Sequence, residues 1–117
     1  MTKSRIQPTL IALAISLTLS AGAMAQALSK DDYKAAKDRI SNDYQTAKTA
    51  CKALSANPKD ICIARAKGVE SIAAAELEAS YKPSAKTRNK VRVAKAKADH
   101  AVALEQCDDL TGNAKDV

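Results

Sequence analysis

From Gln26 to Val117 the chain contains no phenylalanine, tryptophan or methionine, and 20 of these 92 residues are alanine. Only 14 are leucine, isoleucine or valine. Alanine is the best helix former, yet it removes little apolar area from water when it is buried. A domain this small has a marginal core even with ordinary composition. The expectation is therefore a thin, elongated helical structure that gains from covalent staples, with no deep pocket.

The residues before Gln26 have a different character. Lys3 and Arg5 form a positive start, Leu10 to Leu19 is an apolar run broken only by Ser16 and Thr18, and Ala23-Met24-Ala25 is an A-x-A cleavage pattern. This is the pattern of a cleaved export signal, covering residues 1–25. Its apolar run is shorter than the roughly 20 residues that span a bilayer. With Lys3 and Arg5 removed, 17 basic residues face 13 acidic ones in residues 26–117, a net of +4. The expected location is the periplasm, with no transmembrane segment in the mature chain. That compartment is oxidising, so cysteines there read first as disulfides.

Three helices are expected, at about 30–55, 58–81 and 85–110. Tyr33, Ala36, Ile40, Tyr44, Ala47, Cys51 and Leu54 recur by threes and fours, as do Ile61, Ala64, Gly68, Ile72, Ala75 and Ala79. Asn57 reads as an N-cap, Pro58 as the first helical residue and Asp60 as the third. Lys82-Pro83-Ser84 interrupts the pattern, and Ser84 can cap the next helix. The last helix carries one face with Val93, Ala96, His100, Ala103, Cys107 and Leu110, and another with Val91, Ala94, Ala98 and Val102. Two faces imply two neighbours. The fold class is all-α, made of elongated antiparallel helical hairpins: a three-helix bundle, or part of a longer helical repeat array.

A self-match supports the array. Cys51-Lys-Ala-Leu-Ser-Ala-Asn-Pro-Lys-Asp-Ile-Cys62 aligns, 56 residues later, with Cys107-Asp-Asp-Leu-Thr-Gly-Asn-Ala-Lys-Asp-Val117. Cys, Leu, Asn, Lys and Asp agree in fixed register, Asp43/Asp99 and Ala47/Ala103 extend the match upstream, and Tyr44 pairs with His100. Agreement of this kind reads as a repeated supersecondary unit. The counterpart of Cys62 would fall at the residue after Val117. The expectation is a chain that continues; the alternative is a lost second cysteine pair.

Cys51 lies about one turn before the bend between the first two helices and Cys62 about one turn after it. A Cys51–Cys62 disulfide should close this hairpin and contribute about 3 kcal/mol in the chain-entropy model. Ten intervening residues make a redox-active pair a poor alternative. Cys107 is left as a free thiol, an intermolecular bridge giving a dimer, or the mate of a later residue. His100 and Cys107 share a helix face, but two turns separate them and no further ligands converge, so no metal or other cofactor is expected. With one histidine and a thin core, no catalytic residues are assigned.

Between residues 82 and 97 lie Lys82, Lys86, Arg88, Lys90, Arg92, Lys95 and Lys97, with no acidic residue. This is either a solvated helix face or an anion-binding one, directed at anionic envelope components or other proteins. No aromatic residue interleaves it, which argues against base stacking.

The Tyr33-Lys-Ala-Ala-Lys-Asp38 start, the Cys51-to-Cys62 unit and the Ser80-Tyr-Lys-Pro-Ser84 linker resemble small Ala/Lys-rich exported helical proteins of proteobacteria. That resemblance implies no particular activity. The composition is also similar to the Ala/Lys-rich helical segment of TolA-type envelope proteins, from which this chain differs in its paired cysteines and in having no expected membrane anchor. The functional expectation is a non-enzymatic cell-envelope protein with a structural or partner-binding role. The alternative is a cationic binding module, or holdase-like chaperone, that uses residues 82–97.

Overall fold

The computed structural model describes residues 27–110. The expected export segment, and the second repeat copy from Thr111 onward, lie outside the described residues. Three helices carry the fold: α1 (Lys30–Ala50), α2 (Ala56–Tyr81) and α3 (Ala85–Cys107), with a 3-10 turn at Cys51–Ala53. No strand occurs among the described residues. The contacts run in chain order, α1 on α2 and α2 on α3, as two antiparallel hairpins that share α2.

Each helix start has a local cause. Ser29 caps α1 by accepting from the Asp32 amide at 3.0 Å, and Asp31 and Asp32 place negative charge at the positive helix end. Lys82 ends α2, since Pro83 disfavours helical geometry in the residue before it. Ser84 then caps α3 in a reciprocal box with Thr87. The Thr87 amide donates to Ser84 Oγ at 3.0 Å, and the Ser84 amide donates to Thr87 Oγ1 at 2.9 Å. Thr87 is buried, and its hydroxyl also reaches the Lys82 carbonyl oxygen at 3.0 Å, tying the linker down.

The α1–α2 hairpin is fastened at both ends. Cys51 and Cys62 form a disulfide with their Cα atoms 5.6 Å apart, and Cys51 is 1% exposed. At the other end the Tyr33 and Tyr81 rings stack, centroids 4.4 Å apart. Between them Ala36, Ile40, Tyr44 and Ala47 are half-buried along α1. Their neighbours on α2 include Ala66, Val69 and Ala73. The expected α2 stripe through Ala64 and Gly68 faces α3 instead. A Cβ placed on Gly68 would lie 2.8 Å from the Ala98 Cβ, so glycine sets how closely α2 and α3 approach. Cys51, Ala66, Gly68 and Thr87 are the buried positions among the described residues, which is the thin core that an alanine-rich chain can supply.

The start of α2 departs from expectation. Asn57 does not cap it. The helix begins at Ala56, the cap position is Ser55 without a side-chain hydrogen bond, and Asp60 is the fifth helical residue. The Asn57 side-chain amide instead donates to the Glu105 carbonyl oxygen at 2.7 Å, joining the start of α2 to the end of α3. The redirection follows a backbone kink at Ala56, whose φ is +53°. A left-handed residue with a Cβ costs roughly 1–2 kcal/mol. At the corresponding position of the 56-residue match stands Gly112. Ala56→Gly should therefore stabilise the chain by about 1 kcal/mol, seen as a rise in thermal midpoint of roughly 4–8 °C by circular dichroism. A lower midpoint would mean that the kink carries no strain.

The last helix is shorter than expected, ending at Cys107 rather than near Leu110. The Leu110 amide then donates to the Cys107 carbonyl oxygen at 3.0 Å, the same turn that Leu54 makes on Cys51 at 3.1 Å.

Candidate functional site

Helices α2 and α3 enclose a groove of about 710 Å³ on the side of α2 away from α1. Its position follows from helix geometry. Val91, Ala94, Ala98 and Val102 of α3 are half-buried toward α2, while Val93, Lys97 and Ala101 fall to one flank of that contact. Because Gly68 and Ala98 have almost no side chain, they make a shallow floor between the helices rather than a filled seam. Ile63, Ala64, Val93 and Ala101 add apolar wall.

The polar lining has two signs. Asp60 and Glu105 stand at the disulfide end of the hairpin, beside the Asn57 tie. Lys67, Lys97 and Lys90 follow along the groove toward Ser71 and Asn89. Lys90 is held by Glu78, Nζ to Oε1 2.8 Å. That hydrogen bond and the Lys90 charge hold the Glu78 carboxyl below the usual carboxylate range. The pair is exposed, so its contribution to stability is small.

The seven basic residues read as one face in the sequence fall on different sides. At 3.6 residues per turn, Lys86, Lys90 and Lys97 share the groove side of α3, and Arg88, Arg92 and Lys95 lie about half a turn away. Lys95 pairs with Glu76 of α2 at 3.0 Å, and Arg92 donates to Asn89 at 3.2 Å. Lys82 lies beyond α2, its Nζ 5.6 Å from the Tyr81 ring centroid. Between them Glu76 and Glu78 neutralise one lysine of each stripe.

His100 is exposed on α3 and Cys107 is a half-buried free thiol on the same helix. Among the described residues no group of three or more His, Cys, Asp or Glu is placed to hold a metal ion. None of their helices is long and apolar enough to cross a membrane.

Two contributors to the groove escape a reading of the sequence. Lys67 is on α2, outside the basic run, and Glu105 shares the groove with Asp60 only because the hairpin is antiparallel. Neither carries a local signal, because groove membership is set by the pairing of two helices. No family model, curated protein or solved structure matches this chain.

Proposed function

We propose that this is a non-enzymatic exported protein of the cell envelope, acting in the periplasm, and that it binds a partner protein through the α2–α3 groove. One observation carries the reading: an apolar-floored groove with carboxylates at one end and lysines along the rest. A simple polyanion or an acidic lipid would meet Asp60 and Glu105 unfavourably. A polypeptide helix with a small-residue apolar face and charges of both signs matches the whole lining. The groove runs from Asp60 to Ser71, about 16 Å of helix rise, which suits a few turns of such a helix. The disulfide supports an exported location, because such bonds persist in oxidising compartments.

The test is fluorescence anisotropy with two labelled amphipathic helical peptides of equal length and apolar face. One carries basic residues at one end and acidic residues elsewhere; the other is acidic throughout. The mixed-charge peptide should bind more tightly, Ala101→Arg should weaken it by about tenfold or more by filling the groove, and Arg88→Gln/Arg92→Gln should leave it unchanged. Tighter binding of the all-acidic peptide, lost in Arg88→Gln/Arg92→Gln, would overturn the groove in favour of a cationic module.

A further inference from the structure

Helix α3 repeats α1 in register. Across the 56-residue match, Ala96, His100, Ala103 and Cys107 stand where α1 has Ile40, Tyr44, Ala47 and Cys51. On α1 those four positions are half-buried or buried in the hairpin with α2. On α3 the first three are exposed, and Cys107 is a half-buried free thiol. At 3.6 residues per turn they lie about half a turn from Val91, Ala94, Ala98 and Val102, which face α2. The same stripe is covered on α1 and open on α3. We infer that the open stripe is the seat of a later helix of the same chain, one that follows a reversal at Gly112 as α2 follows the reversal at Ala56. The inference is independent of partner binding in the α2–α3 groove.

Two observations name that occupant. The first is the way each helix ends. The Leu54 amide donates to the Cys51 carbonyl oxygen at 3.1 Å, and the Leu110 amide donates to the Cys107 carbonyl oxygen at 3.0 Å. Leu54 and Leu110 are alike in exposure too, at 44% and 42%. The chain therefore leaves α1 and α3 through the same turn. The second is the residue that sends it back. Ala56 holds φ at +53°, and its counterpart is Gly112, which reaches that conformation without a Cβ penalty. Asn113, Lys115 and Asp116 then repeat Asn57, Lys59 and Asp60 in sequence, outside the described residues. A chain that repeats both the exit turn and the reversing residue repeats their result, an antiparallel helix laid on the stripe behind it. What that helix presents follows from what α2 presents to α1: a cysteine in the register of Cys62, then Ala66, Val69 and Ala73. In the match, the register of Cys62 is the position directly after Val117.

The test joins a copy of residues 62–81 directly after Val117 of the full chain. With oxidised glutathione, the thiols of Cys107 and of the added cysteine should give up two protons and two electrons, forming one disulfide and two reduced glutathiones. Peptide mapping without reduction should find that bond within single chains, with Cys51–Cys62 retained. Amide shifts of Ala96, His100 and Ala103 should move relative to the 117-residue chain. The effective concentration of the new bond, measured against glutathione, separates a seated helix from a loose tail. It should fall about tenfold or more in Ala103→Glu, which puts a charge under the helix, and in Gly112→Val, which opposes the reversal. Ala101→Glu, on the groove side, should leave it unchanged. Far-UV circular dichroism of every variant checks that α1 to α3 persist. A bond equally strong in Ala103→Glu or Gly112→Val overturns the inference, because a loose tail closes without the face or the turn. So do unmoved amides at Ala96, His100 and Ala103, or an added cysteine that stays reduced.

Discussion

Replacing Cys51 and Cys62 together with alanine should lower stability by about 3 kcal/mol and the thermal midpoint by roughly 10–25 °C. The effect is large because so little else fastens the hairpin. The bond closes a loop with a sequence separation of 11, and Cys51 is the most deeply buried side chain described. Without it, the half-buried α1 stripe and the Tyr33–Tyr81 stack alone hold α1 to α2. Cys107→Ala should shift the midpoint little. Thermal unfolding followed at 222 nm separates the two, and equal shifts would show that the bridge is not the main fastening of the hairpin.

Gly68→Leu should have the next largest effect, a loss of about 1–3 kcal/mol from overpacking against Ala98. Helix propensity acts the other way, because replacing a mid-helix glycine gains up to about 1 kcal/mol. The clash should win, since even the first carbon added meets Ala98 at 2.8 Å. A double-mutant cycle isolates the contact: Gly68→Ala should be less harmful in an Ala98→Gly background, where the opposing methyl is gone. A higher thermal midpoint in Gly68→Leu would mean that the helices separate freely and that no close seam exists.

Much of the fold is legible along the sequence because it depends on local chemistry. Ser84 caps α3 where a serine follows Lys82-Pro83, and Cys51 and Cys62 bridge where they flank a tight turn. The α1 stripe from Tyr33 to Cys51 is legible because a single face of that helix is apolar. What was hidden depends on how helices are placed against each other. On α2, apolar residues occupy two sides, so the stripe through Ala64 and Gly68 masked the one through Ala66 and Val69. Asn57 has an N-cap composition, but the left-handed Ala56 before it sends its amide to α3. The basic run from Lys82 to Lys97 is continuous in sequence and divided in space, because a helix turns successive residues apart and two glutamates of α2 each take one lysine.

The most direct test of partner binding in the α2–α3 groove is an amide chemical-shift titration of the labelled chain with the mixed-charge helical peptide. Saturable shifts should concentrate at Ile63, Ala64, Ser71, Val93 and Ala101, with Arg88 and Arg92 unmoved. Shifts concentrated at Arg88, Arg92 and Lys95, and erased by salt, would contradict the account, because they would place binding on a screened basic surface outside the groove.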